Sequence, residues 1–471
     1  LVTLSPLDVV VVSSFVVALL ALGFSAPLRR NAVLQYLAAG RALSLPAFVA
    51  TLVCTWYGGI LGIAESVSYF GYGTWVLLGV PYYAFGLLYA FALARRVREG
   101  EQISLPERLE RAYGRVPALV GAGLVFLLAV PAAHVLMLGI LAQMLTGWSL
   151  TLSVVVAAVA GTLFLYKGGL LADVRVSLLA FVMMYVGFAV IMAWSVREGP
   201  LWEQWQTLPS ARRTWDGGAG IVAVFSFFVL GAWTLVDPGF HQRVASAASP
   251  EVGRRGLLVA VACWMLFDLL SVSTALTALA RGIEAFEPLA IFPLFAERTL
   301  PPGLKAIFLC GMFGTILSAM VGYTLVAGAT AGRDLAARAA GQSDEARITT
   351  LIRAGMALAT LVAIALALSV GSVVSLWYQW GGAVIGALLI PVWTAYRPPR
   401  RPLPSGAVAV AMMLSFFSAA GWMAYGHASG NALLEVRLVD ATFSLGTLLP
   451  GLLVSAVTIG VGALVARGAT R

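Results

Sequence analysis

Two adjacent glycines, Gly58 and Gly59, with Gly62 a turn further on, interrupt an apolar run over residues 45–66 that otherwise reads as a membrane helix. Glycine costs a helix interior about 1 kcal/mol relative to alanine, so such a cluster needs a reason. One reason is a deliberate break. Where a helix comes apart inside a bilayer, freed carbonyl oxygens and half-helix ends hold an ion or polar solute without placing a full charge at that depth. Irregular backbone of this kind is stable only against protein or a wet cavity. The other reason is close helix packing, which small residues also serve.

The candidate ionisable residues within apolar runs are Glu65, His134, Asp173, Asp237 and Asp268. A charge near the bilayer centre costs at least about 2.5–3.5 kcal/mol, so each must meet a partner or a cavity. Asp173 and Asp237 lie near the ends of their runs, where pairing with Arg175 or Arg243 accounts for them. Asp268, followed by Ser271, Ser273 and Thr274, reads as a coupling charge or a structural acceptor. Glu65 lies six residues beyond Gly59 and reads as a vestibule charge attracting a cation or an amine, or as a solvated carboxylate. His134 is either a pocket residue or a satisfied core histidine. Only three histidines occur (His134, His241 and His427), widely spaced, with no metal cluster, nucleophile elbow or phosphate loop. An enzyme is not expected, nor any metal other than a coupling ion. Cys54, Cys263 and Cys310 lack CxxC spacing and read as buried thiols.

The elements that must position these residues are membrane helices. Of 471 residues, 60% are hydrophobic and 11% charged, against about 25% charged in soluble domains. Apolar runs separated by short polar clusters predict thirteen spans: 8–26, 45–66, 74–96, 117–145, 149–166, 170–196, 218–240, 254–281, 303–331, 348–370, 373–395, 404–425 and 442–466. The first lacks a basic leader and a cleavage pattern and reads as a retained span. Most basic residues then fall in alternate loops, among them Arg29, Arg30 and Arg41, then Arg95, Arg96 and Arg98, then Arg397, Arg400 and Arg401. That asymmetry predicts an integral protein of the plasma (inner) membrane with its N-terminus outside and its C-terminus cytoplasmic. The net charge of +9 is thereby topological, and nucleic acid is not an expected partner. In the outer segment 197–218, Trp202, Trp205 and Trp215 suit a headgroup-level aromatic belt. In 280–303 a short helix is expected over the outer vestibule.

Five stretches carry a resemblance: "LAAGRALSLPAFVATLVCTWYGGILG" (37–62), "ISLPERLERAYGR" (103–115), "YKGGLLADVR" (166–175), "TLVDPGFHQRVASAASPEVGRRG" (234–256) and "LSAMVGYTLVAGATAGRDL" (317–335). In this order and spacing the chain resembles the sodium:solute symporter family. The resemblance implies an all-α polytopic fold with a core of two inverted five-helix repeats, each opening on a broken helix. The implied divisions are 1–43 (an extra helix and loop), 44–196 and 217–396 (the two repeats), and 397–471 (two further helices). The arginine pattern independently starts span two inside and span seven outside, as inverted repeats require.

The family's sodium site lies between carbonyls of the first core helix and carbonyl and hydroxyl groups of the eighth. Carried over without gaps, these positions are Trp56 and Gly59, then Thr315, Ser318 and Ala319. The family usually has two adjacent hydroxyl residues where this chain has Ser318 and Ala319. The acidic position of a second sodium site is Ser177 here, so no second sodium is expected. Solute contacts implied by the resemblance fall on Tyr57, Gly58, Tyr82, His134, Trp233, Tyr378 and Gln379. Ile63 stands at a glutamine position of sugar-carrying relatives, and Gly58 replaces an acidic residue of proline carriers, which argues against both solutes. The expected function is sodium-coupled symport of a small organic solute by alternating access, with no cofactor beyond the coupling ion and no required oligomer. Proton coupling through His134, Glu65 or Asp268 is the alternative, and a membrane sensor with a symporter-like core is the alternative of another class.

Overall fold

The computed structural model describes residues 2–27, 32–283, 288–370, 372–399, 401–430, 435–438, 441–444 and 446–468. The side chains of residues 378, 435–438, 441–444, 467 and 468 lie outside that description. Among the described residues, eleven helices are long and apolar enough to cross a membrane; counting Leu45–Tyr57 and Ile60–Gly73 as one bent span makes twelve. The shorter apolar helix Leu150–Thr162 corresponds to the remaining expected span. An antiparallel pair of strands, Glu435–Leu438 and Ala441–Ser444, links the last two spans.

The chain begins with α1 (Pro6–Phe24), whose first turn is closed by a reciprocal Ser5–Asp8 capping box. Next come α2 (Leu45–Tyr57) and α3 (Ile60–Phe70), the two halves of the broken span, bent by 47°. The helices that follow are α4 (Val80–Ala92), α5 (Arg115–Ala129), α6 (Ala132–Thr146), α7 (Leu150–Thr162) and α8 (Leu165–Ser195). The second broken span consists of α9 (Gly220–Leu230), α10 (Trp233–Val236) and α11 (Pro238–Ser246). At Asp237 it leaves the helical conformation (φ −64°, ψ 116°), and the Asp237 side chain caps the backbone NH of Phe240. The remaining helices are α12 (Pro250–Ala280), α13 (Leu304–Ala329), α14 (Glu345–Val370), α15 (Gly382–Tyr396), α16 (Ser405–Ala428) and α17 (Leu448–Gly468). The first broken helix packs on α8, α12 and α13, so its irregular backbone is enclosed by protein, as its depth requires.

The stretches singled out in the sequence are the places where loops lace to one another. Ala39, Gly40 and Arg41 all take left-handed backbone (φ +47°, +65° and +58°). This turn is held by Arg41, which donates to the carbonyls of Gly100 and Glu101. Two residues on, Leu43 pairs with the end of α11: its NH donates to Ser246 at 3.0 Å and its carbonyl accepts from Ala248 at 2.9 Å. Gln242 ties the same region together through Leu37 at 2.9 Å. The "PERLER" segment meets the "AGRDL" segment through Arg333–Glu107 at 2.9 Å and Arg338–Glu110 at 3.3 Å.

In the segment 280–303 the expected short helix is Ile291–Thr299, with Phe292 and Phe295 fully buried; residues 284–287 lie outside the description. Trp202 and Trp215 are exposed, as a belt requires. Trp205 instead turns inward and donates to Thr277 at 3.0 Å.

Candidate functional site

The first break falls at Gly58 and Gly59, which stand between the helical ends of α2 and α3. Neither glycine has a left-handed backbone; what demands them is contact. A Cβ on Gly58 would sit 2.0 Å from the Cβ of Ala319 and 2.8 Å from His134 Cδ2. A Cβ on Gly59 would sit 2.3 Å from the Trp377 ring, and one on Gly62 would meet the same ring at 2.7 Å. Both readings of the doublet therefore hold: the helix is broken there, and its neighbours approach as closely as glycine permits.

Beside the break lies a cavity of about 300 Å³. Trp56, Tyr57 and Gly59 line it from the first broken span, Tyr82 from α4, His134 from α6, Trp233 from the second broken span and Asp268 from α12. Tyr82 packs on Trp56 with ring centroids 4.0 Å apart. The Tyr57 hydroxyl donates to the Trp264 carbonyl at 2.6 Å. His134 stacks on Tyr323 at 5.2 Å, and its Nδ1 is buried without a hydrogen-bond partner. Trp233 rests on Gly381, where a Cβ would be 2.3 Å from its ring, and its Nε1 donates to Asp237 at 3.0 Å. Each broken span is thus in contact with the 373–396 span through a tryptophan lying on a glycine.

The ion-site positions converge in part. Gly58 abuts Ala319, which brings the break against the stretch of α13 that carries Ser318. Thr315 hydrogen-bonds through its hydroxyl to the Gly311 carbonyl at 2.7 Å, so the expected side-chain contribution is directed into its own helix. Ala319 offers no hydroxyl. The Ser318 hydroxyl is 2.7 Å from that of Ser177 on α8, and Ser177 in turn donates to Asp173 at 3.2 Å. Asp173 forms an ion pair with Arg243 at 2.9 Å, both side chains fully buried.

Several expected contacts are corrected by this geometry. Glu65 is not a vestibule charge: it is 3% exposed and accepts from the Ser372 hydroxyl at 2.7 Å and the Val374 NH at 3.2 Å. A carboxylate there meets the unpaired NH groups that open the 373–396 span, a favourable place for negative charge. Gln379 does not line the cavity; its side chain meets His427 at 2.9 Å, and its carbonyl accepts from Thr447 at 2.6 Å. Tyr378 is the neighbouring expected contact whose side chain lies outside the description. Asp237 does not pair with Arg243; it accepts from Tyr323 at 2.7 Å as well as from Trp233. Arg175 reaches Ser25 rather than an aspartate.

Ungapped counting missed Trp377, Trp380 and Tyr323, and it gave Ser177 only as the position of an absent second sodium ligand. Over Leu376–Gly381 the helix winds with wider turns, which rotates the face presented by each position. Trp377 and Trp380 therefore line the cavity, and Gln379 does not. The Trp-x-x-Trp spacing, one turn on a single face, was the available signal.

A bundle of membrane helices with two interrupted spans flanking a cavity has the architecture of an inverted-repeat membrane transporter. A sequence model of the sodium:solute symporter family matches residues 36–393, and the chain belongs to that family. It is a secondary active transporter. No curated protein matches the chain in sequence. Among solved structures, a Na+-coupled sialic acid symporter in a substrate-bound outward-open state superposes with a TM-score of 0.76 at 15% identity, covering 97% of this chain and 98% of that one. Mhp1, a nucleobase-cation-symport-1 family transporter in a closed conformation with bromovinylhydantoin bound, does so at 0.55 and 13%, covering 94% and 95%. At such identities the likeness is one of fold.

Proposed function

We propose that the protein carries a small organic solute inward together with one sodium ion, by alternating access of the two repeats (44–196 and 217–396) around the cavity. The observation that supports this most is the contact between the broken backbone at Gly58 and the Ser318–Ala319 turn of α13, directly beside the cavity. Sodium is a hard cation that takes oxygen ligands, by the same preference that governs calcium and magnesium. The carbonyls of Trp56 and Gly59 supply them from one side, with the Ser318 hydroxyl and the Thr315 carbonyl from the other. Ser177, 2.7 Å from Ser318, stands in for the hydroxyl that Ala319 lacks. Tyr57, Tyr82, His134 and Trp233 surround the solute, while Gly58, expected among them, packs on Ala319 instead of lining the cavity.

One ion is enough. Moving one charge through ~100 mV releases about 2.3 kcal/mol, and a tenfold gradient adds about 1.4 kcal/mol. Together they sustain a solute ratio on the order of several hundred. The arginine asymmetry supports a chain in the plasma (inner) membrane with the N-terminus outside and the C-terminus in the cytoplasm.

The test is solute uptake with sodium replaced by potassium at constant pH and ionic strength. Uptake is expected to collapse, and Ser318→Ala is expected to need a much higher sodium concentration for half-maximal uptake. Uptake indifferent to the replacement would overturn sodium coupling.

A further inference from the structure

The lining of the cavity carries a chemical bias that bears on the solute. Its walls include Trp56, Tyr82, Trp233, Tyr323, Trp377 and Trp380. Among the described residues no Lys or Arg lines it, and Asp268 is the one carboxylate that does. Asp268 is almost fully buried, and its Oδ2 accepts from the Tyr83 hydroxyl, a phenol rather than a base. The buried guanidinium of Arg243 is committed to Asp173.

A second carboxylate stands behind the aromatic wall. Asp237 accepts from Trp233 Nε1 at 3.0 Å and from the Tyr323 hydroxyl at 2.7 Å. These charge-assisted bonds direct the donors of both rings away from the solute and leave their π systems to the cavity. The Tyr57 hydroxyl is likewise spent on the Trp264 carbonyl. An anionic solute would therefore meet the Asp268 carboxylate and, among the described residues, no Lys or Arg. An organic cation, by contrast, gains from aromatic faces, which attract positive charge most strongly when desolvated, and from a carboxylate in a dry, low-dielectric wall.

We propose that the solute is a small organic cation, an amine or quaternary ammonium compound, with its charged centre held between Asp268 and the rings of Trp56, Tyr82, Trp233 and Trp380. This rests on the reading of the cavity as the solute site.

The test uses the purified full chain in sodium-containing buffer, with melting temperature and tryptophan fluorescence as readouts. The probes are tetramethylammonium, ethanolamine and choline, together with 3,3-dimethylbutan-1-ol, the uncharged isostere of choline. At least one cation is expected to bind saturably. The uncharged isostere should bind at least about tenfold more weakly than choline, and Asp268→Asn, which keeps an acceptor for Tyr83, should weaken cation binding by about tenfold or more. Trp380→Leu should also weaken it while the stabilisation by sodium persists, which shows that the variant is folded. Equal binding of the isostere, unchanged cation binding in Asp268→Asn, or no binding by any of the three cations would overturn the proposal. Sodium-dependent uptake of an anion or a neutral solute alone would overturn it and leave the transport reading intact. Cation binding with no effect of sodium would uphold the solute class and refute the coupling instead.

Discussion

Replacing Gly58 by alanine is expected to abolish sodium-dependent uptake. In an ordinary helix interior the same change stabilises by about 0.8–1.0 kcal/mol, so the sign of the effect is informative. At Gly58 the new methyl would lie 2.0 Å from the Ala319 Cβ and 2.8 Å from the His134 ring. Overpacking of this kind costs about 1–3 kcal/mol. Here it also pushes the break away from the turn that carries Ser318, and ligands for a small cation tolerate little displacement. Gly123 is the control: it lies in α5 with nothing within 4 Å of an added Cβ. Gly123→Ala should leave both uptake and melting temperature at or slightly above their starting values. Measured side by side in proteoliposomes, equal activity of the two variants would dissociate the break from ion coupling.

The second large effect concerns the ion pair of Asp173 and Arg243. Both are fully buried, and removing one partner of a buried pair costs about 3–5 kcal/mol, because a bare charge is left behind. Arg243→Met should therefore lower the melting temperature sharply. Asp173→Leu combined with Arg243→Met should restore most of the loss, since apolar replacement of a whole buried pair is often neutral. The single variant should also respond to sodium more strongly than the parent. Its uncompensated carboxylate bonds to Ser177, which touches Ser318, so a cation bound there supplies the missing counter-charge. Melting curves with and without sodium for the parent, both single variants and the double variant measure this coupling. Additive losses, with no sodium protection in Arg243→Met, would show that the pair and the ion site are independent.

How much of this was legible beforehand differs from residue to residue. The break could be read because Gly58, Gly59 and Gly62 cluster within about one helical turn of an apolar run, where each weakens the helix. Trp233 and Tyr82 were placed through the resemblance and both line the cavity, Trp233 even though its span leaves the helical conformation at Asp237. Gln379 could not be placed in that way, because the wide turns over Leu376–Gly381 change the angular step that counting assumes. Glu65 was misplaced for a different reason: its role as a cap depends on where Ser372 lies in space, 307 residues away in sequence. The same holds for Ser177, which becomes a neighbour of Ser318 only through the packing of α8 on α13. Thr315 was on the expected face, but a threonine inside a helix readily returns its hydroxyl to the carbonyl four residues back, as it does here. Sequence thus reported the local backbone event well and the long-range polar partners poorly.

The account depends most on a cation held between the opened backbone of the first core helix and Ser318. Equilibrium binding of radioactive sodium to the purified protein measures this without knowledge of the solute. Saturable binding at a single site is expected, displaced by unlabelled sodium but not by potassium, weakened in Ser318→Ala and lost in Gly58→Ala. Binding that fails to saturate, or that is equal in all three proteins, would contradict it.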